Sequence, residues 1–381
     1  MLIPNQKHLF DIPADVTFLN CSYVSPLLNR VKQSGIEGMA KRSSPWRITM
    51  DDWFAPSEEL RALFASLINA DKENVAFIPA VSYGMAIAAK NISLRANQKI
   101  ILLDQQYPSN VYPWRQLSIE SGAEIITVKK QPGRSWTEVI LEKIDEHTGL
   151  VALPNCHWTD GSWVDLEKIG QEIRKRNAKF VIDASQSLGA YPLDINKIKP
   201  DFLATVGYKW LLGPYGLGYL YCDQKYCETG RPIENTWINR RGSEDFSRLA
   251  DYTDEFKSGA RRFDAGEFID FARMPMAITA LTQVLNWGVI RIQETLSELT
   301  SEIEIRAQHA GYETPEKKDR VGHMIGIKVP AEQISSVSKK LSENKIYVSI
   351  RGTSMRVAPY LYNDVEDVKR LFEFLDTQAS G

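Results

Sequence analysis

Seven short apolar runs between Asn74 and Asp223 restrict the fold of this chain more than any other feature of its sequence. They are Asn74–Ala80, Lys99–Asp104, Glu124–Lys129, Leu150–Pro154, Lys179–Asp183, Phe202–Val206 and Gly218–Tyr221. Between several of them lie amphipathic stretches such as Trp136–His147 and Asp165–Arg176, with apolar residues at i, i+3 and i+4. Strand–helix alternation needs crossover connections, so it predicts an α/β fold with a mainly parallel seven-stranded sheet and helices on both faces. Ligands of such sheets bind beyond the carboxyl ends of the strands, which directs attention to the residues after each apolar run.

Past Leu281 the pattern changes. A long helix over Ala280–Ala310 is expected, then a strand (Met324–Val329), a helix (Ala331–Asn344), two close strands (Ile346–Ile350 and Ser354–Ala358) and a last helix over Asp364–Thr377. The 381 residues therefore divide into a large domain over 14–281 and a small α+β domain over 282–381, with residues 1–13 packing against the latter. Hydrophobic residues make up 43% and charged residues 25%, as in ordinary globular proteins. With 46 basic and 48 acidic side chains, no bulk field favours nucleic acid or an acidic membrane. No apolar window approaches the length of a membrane span, and the start, MLIPNQKHLFDIP, has no basic and then apolar leader pattern, so a cytoplasmic location is expected. Four cysteines cannot staple a chain of this size. No metal site is expected either, because the five histidines share no i, i+4 spacing and Cys222/Cys227 lacks partner pairs.

The segment Phe180-Val-Ile-Asp183-Ala-Ser-Gln186 ends an apolar strand on an aspartate. That carboxylate either faces a ligand or caps a helix or turn. The next strand runs into Gly207-Tyr208-Lys209-Trp210 and a glycine-rich turn. A lysine there either snorkels to water or, if desolvated, becomes a nucleophile able to form a Schiff base. Gly213, Gly216 and Gly218 lack the spacing of a nucleotide phosphate loop.

Asp183-Ala-Ser-Gln186, Lys209 at a spacing of 26 from Asp183, and the following Gly-Pro-x-Gly-x-Gly together resemble the pyridoxal-phosphate (PLP) enzymes of fold type I. More narrowly they resemble the class V aminotransferase superfamily of cysteine desulfurases, kynureninases and isopenicillin-epimerase-like proteins. The resemblance implies that Lys209 carries the cofactor as an internal aldimine and moves the α-proton, that Asp183 pairs with the pyridinium nitrogen, and that Gln186 reaches the ring's phenolic oxygen. It implies that the helix start at Val81-Ser82 receives the phosphate, although Ser82 by itself reads as an N-cap. Tyr107 takes the place of the ring that stacks on pyridoxal, and Trp158 falls where relatives put a side chain beside the cofactor. Arg356 resembles the arginine that grips the substrate α-carboxylate, with Arg351 a second candidate for the same pocket.

Four departures narrow the expectation. Lys345–Pro359 contains no cysteine, so a persulfide-forming desulfurase is not expected. Tyr208 replaces the common histidine before the lysine, as in kynureninases, where the phenol reaches the phosphate. Val206 stands where a phosphate-binding hydroxyl is usual, and Glu267 ends the Arg262-Phe-Asp-Ala-Gly266-Glu267 element where a threonine normally reaches the neighbouring subunit's phosphate. Gly266 N–H, Arg261 or Arg262 is expected to stand in for it. The reading is a PLP enzyme acting at Cα of a small amino acid by transamination or kynureninase- or C–S-lyase-like elimination, working as a homodimer. The alternatives are an epimerase of the same superfamily or a catalytically silent binding protein.

Overall fold

The structure is a computed structural model and describes residues 1–379, so the last two positions of the 282–381 segment lie outside the described residues. Its strands are β1 (Thr17–Phe18), β2 (Val75–Ile78), β3 (Lys99–Leu103), β4 (Glu124–Val128), β5 (Thr148–Pro154), β6 (Lys179–Asp183), β7 (Phe202–Val206), β8 (Gly218–Cys222), β9 (Ile325–Lys328), β10 (Ile346–Tyr347), β11 (Ser349–Arg351) and β12 (Ser354–Val357). Alternate residues of each central strand point to opposite faces, and both faces are apolar. Ile101, Val151 and Ile182 enter one core, while Ile100, Ala152 and Val181 enter the other. That two-sided burial requires helices on both sides. The seven strands expected from the sequence form one sheet of order β2-β8-β7-β6-β5-β3-β4, each within two residues of its expected bounds. All pairings are parallel except those of β8, which runs against β7 and β2.

The second unit of structure is the antiparallel sheet β11-β12-β9, backed by the helices Val289–His309, Ile334–Glu343 and Val365–Ala379 around a separate apolar cluster. The start of the chain crosses to it. Ile3 N–H donates to Thr295 Oγ1 (2.9 Å), Gln6 N–H to the Leu361 carbonyl (2.7 Å), and β1 pairs in parallel with β10.

Three expectations need correction. The single helix over Ala280–Ala310 is two helices, Arg273–Trp287 and Val289–His309, broken at Gly288. Gly288 sits at φ +81° while its N–H still closes the first helix on the Val284 carbonyl (3.0 Å), a conformation that costs glycine little. The expected strand Ile346–Ile350 is split between β10, which serves β1, and β11, which pairs with β12. The amphipathic stretch over Trp136–His147 is helical only over Trp136–Leu141.

One buried ion pair ties the edge of the large sheet to the segment leading to Glu267. Arg61 donates two hydrogen bonds to the Asp264 carboxylate (2.8 and 3.2 Å) and lies 4.5 Å from the Phe77 ring centroid. Asp264 also accepts the Phe77 N–H (2.7 Å) and is itself buried. Removing Asp264 would leave the buried Arg61 guanidinium with only the partly exposed Glu58, 3.3 Å from its Nε, as a counter-charge. Asp264→Ala is expected to lower stability by about 3–5 kcal/mol, read as a fall in the urea midpoint, whereas a loss below about 1 kcal/mol would show that Glu58 or water takes over the guanidinium.

Candidate active site

At the carboxyl ends of β5, β6 and β7 a cavity of about 250 Å³ opens beside the first turn of the helix Val81–Asn91. Strand parity explains the convergence. Asp183 follows Val181, and Val206 follows Ala204, on the face that packs against this helix. Val81 and Ser82 line the cavity as the first two helical residues. The N-cap is Ala80, in extended conformation, with no capping side chain. The N-cap reading of Ser82 therefore fails, and the first helical N–H groups, which have no intrahelical acceptor, border the cavity with the positive end of the helix dipole.

Lys209 and Asp183 share this chamber, both more than nine-tenths buried. Burial pulls the Lys209 ammonium down from its usual 10.5 to about 8; Asp183 opposes this, while Arg356 and Arg351 add to it. Burial likewise pushes the Asp183 carboxyl above the usual carboxylate range, opposed by hydrogen bonding to Ser185, whose N–H donates to Oδ1 (3.0 Å). Each charge stabilises the other without an ion pair, so both reactive atoms remain available to a third group.

Gln186, also on the wall, has its amide orientation fixed from two sides. The Trp210 indole N–H, which can only donate, reaches Oε1 (3.2 Å), and Nε2 donates to the Ser22 carbonyl (3.1 Å). The Gln186 backbone carbonyl in turn faces the Cys156 thiol (3.3 Å) and Nε2 of the fully buried His323 (2.7 Å). Burial pulls His323 down to about 4, so it is neutral. Residues 20–25 also hold the lysine turn, since Ser25 donates its N–H (3.0 Å) and hydroxyl (3.2 Å) to the Tyr208 carbonyl.

Tyr107, Trp158 and Tyr208 complete the wall. Lys209 Nζ lies 5.7 Å from the Tyr107 ring centroid and 5.9 Å from that of Tyr208. Tyr107 meets Trp158 edge to face at 5.5 Å, and the Trp158 indole N–H is held by the Gln105 carbonyl (2.7 Å). Burial pushes the Tyr208 phenol up to about 12. The structure does not put the two arginines on this wall. Arg356 is buried behind Trp158 and donates to its carbonyl (2.7 Å), while Arg351 borders a different cavity. Arg356 has no carboxylate partner among the described residues, its Nε is buried without an acceptor, and burial, helped by Arg351, pulls it down to about 9.

The aminotransferase class-V family model matches residues 50–371. The chain belongs to that family. It is similar to the Bacillus subtilis (strain 168) protein YcbU, named as an uncharacterized aminotransferase, at 23% identity over 91% of this chain and 89% of that protein. It is similar to kynureninase of Geobacillus thermodenitrificans (strain NG80-2) at 25% identity over 92% and 82% of the two chains. The solved apo structure of cysteine desulfurase from Thermococcus onnurineus NA1 covers 100% of this chain and 99% of its own with a TM-score of 0.87 at 20% identity. The fold is PLP fold type I, and the chain is a PLP-dependent enzyme of the class V aminotransferase family.

The chamber fits that cofactor: an amine, a carboxylate and a helix start surround one space, and Gln106 Nε2 on its wall is buried without a partner. The three groups expected to stand in at the phosphate already have partners within the chain. Gly266 N–H already donates to Glu234 (3.0 Å). Arg261 is held by Glu58 and Glu73, which keep it charged and occupied. Arg262 donates to the Gly230 carbonyl (3.1 Å) and lies over Phe256. Glu267 is exposed, at a left-handed φ of +56° that side chains rarely adopt.

Sequence reasoning missed Cys156 on the chamber wall, because it lies two residues beyond the end of its apolar run at Pro154. The glycine run is not a phosphate cradle. A Cβ at Gly218 would stand 2.5 Å from the Thr205 carbonyl oxygen, and one at Gly207 would stand 2.7 Å from that of Leu217. Among the described residues no cluster of three metal-ligating side chains occurs, and no helix is long and apolar enough to cross a membrane.

A Lys209 amine lowered to about 8 is neutral, and so nucleophilic, above that pH. Reductive alkylation of Lys209 in cofactor-free protein should rise with a midpoint near pH 8. In Asp183→Asn the midpoint should fall further, because the carboxylate that favours the ammonium is gone. A midpoint near 10.5 in either protein would show that water reaches the lysine.

Proposed function

We propose that this enzyme acts at Cα of a small amino acid by transamination or side-chain elimination, with Lys209 holding the cofactor covalently and carrying the proton at Cα. The observation that carries the reading is the desolvated Lys209 sharing a chamber with an unpaired, buried Asp183. Bound PLP supplies a ring that accepts the charge left when a bond at Cα breaks. Asp183 would keep the ring nitrogen protonated, and the remaining N–H of the oriented Gln186 amide would face the ring oxygen. Val81, Ser82 and the Tyr208 phenol would take the phosphate, and the Tyr107 ring would cover pyridoxal. Arg356, buried without an anion, would receive the substrate's α-carboxylate. The relative named as an aminotransferase supports transamination, and the kynureninase relative supports cleavage of the side chain.

In this reading no persulfide forms on the chain, although desulfurases stand among its relatives. Cys156 reaches the chamber, but burial pushes its thiol well above the usual range and it donates to the Gln186 carbonyl. A buried thiol is a poor nucleophile. Borohydride reduction of the loaded enzyme should fix a pyridoxyl group on Lys209, and Cys156→Ala should keep turnover within about threefold. Modification elsewhere, or loss of sulfide release from cysteine in that variant alone, would overturn the reading.

The working unit in this reading is a homodimer. Tyr215, a wall of the chamber, stands 72% exposed, and Tyr23, close enough to act on Tyr208, stands 58% exposed. A partner copy would cover them and exclude water from the phosphate end. Sedimentation should give roughly twice the 43.2 kDa chain mass, and a fully active monomer would exclude the shared site.

A further inference from the structure

Arg351 and Arg356 lie on one face of one hairpin. The register sets Ser349 opposite Arg356 and Arg351 opposite Ser354, so all four side chains emerge on the same side. The two arginines are diagonal neighbours, roughly 7–8 Å apart at the backbone. Their face packs on the loop that carries Trp158: Arg356 donates to the Trp158 carbonyl (2.7 Å) and the Ser354 hydroxyl to that of Thr159 (3.1 Å). The Arg351 guanidinium lies 5.6 Å from the Trp158 ring centroid. Trp158 therefore stands between the cofactor chamber, which it lines, and a second cavity of about 630 Å³ lined by Arg351.

The charges of that outer cavity leave a positive remainder. Lys328 is paired with Glu313 (2.7 Å), and Asp160 is held by the Ser162 N–H (2.9 Å) with His157 4.0 Å away. Arg351 and Lys130 also face the cavity; Asp319, Asp160 and Glu138 act on Lys130 from beyond 4 Å, and among the described residues Arg351 has no carboxylate within 4 Å. Among the described residues Arg351 donates only to its neighbour's carbonyl, that of Ile350 (2.7 Å). A guanidinium resting on an indole keeps its N–H edge free for a carboxylate. Two like charges on one hairpin face, neither balanced by the protein, are relieved by a ligand that brings two anionic groups.

We propose that Arg351, with Lys130, forms a separate subsite for a second acidic group, so that the substrate is an amino acid with a distal carboxylate or similar anion. The proposal rests on the reading of Arg356 as the α-carboxylate site. It departs from the sequence expectation, which made Arg351 a second candidate for the α-carboxylate pocket of Arg356.

Two five-carbon acids, glutarate and valerate, test it on the PLP-loaded enzyme, with binding read by calorimetry and by the cofactor's absorbance. Glutarate should bind at least about tenfold tighter than valerate. Arg351→Gln should abolish that preference while leaving valerate affinity within about twofold, and Arg351→Lys should retain part of it because the charge remains. No preference in the parent, or an equal loss for both acids in Arg351→Gln, overturns the subsite. Arg356→Gln separates the two readings. If it leaves valerate binding intact, the α-carboxylate placement fails, while the glutarate difference between parent and Arg351→Gln still reports on Arg351.

Discussion

A sheet buried on both faces leaves no place for a working polar side chain except beyond the ends of its strands, and that restriction governs the whole molecule. Strands β3, β5, β6 and β7 carry apolar residues at nearly every position because both faces meet helices. Asp183 is tolerated as the last residue of β6, where the ladder stops and the Ser185 N–H can satisfy it. Lys209 follows three residues after β7 ends, at the same edge. The helix after β2 starts at that edge as well, so a carboxylate, an amine and a row of free N–H groups meet without any long-range instruction beyond the parallel arrangement.

The chamber works electrostatically because its charges are near but not paired. Had Lys209 and Asp183 closed into an ion pair, the lysine would keep its proton far above neutrality and neither group could serve a ligand. Their separation lets burial dominate Lys209, while Asp183 limits the fall. Two arginines at the rear add positive charge that also favours the neutral amine.

Much of this was legible in the sequence, for a physical reason. Fully buried parallel strands are written as uninterrupted apolar runs, and an aspartate or lysine at the end of such a run is conspicuous against that background. That is why β6 with Asp183 and β7 with Lys209 could be read directly. The illegible parts depend on tertiary placement. One glycine in a continuous helical pattern hides the break at Gly288, since the pattern resumes in phase with the same core. The place of Arg351 is set by strand register and by Trp158, neither of which the local sequence states. Arg261 looked free in the sequence because its partners, Glu58 and Glu73, lie about two hundred residues away.

The loop from Cys156 to Trp163 is where the two sheets become one site. Gly161, at φ +79°, lets it turn back so that the His157 N–H reaches the Ser162 carbonyl (2.8 Å), and a Cβ there would strike the Met324 carbonyl oxygen at 2.5 Å. That close approach brings the loop against β9 and β12, where the Gly326 N–H takes the Asp160 carbonyl (2.9 Å). Trp158 is consequently held by the large sheet's loop through Gln105 and by the small sheet through Arg356. Its ring cannot follow one sheet without straining a contact to the other. Any shift of the β11–β12 hairpin would therefore move both arginines and the chamber wall together.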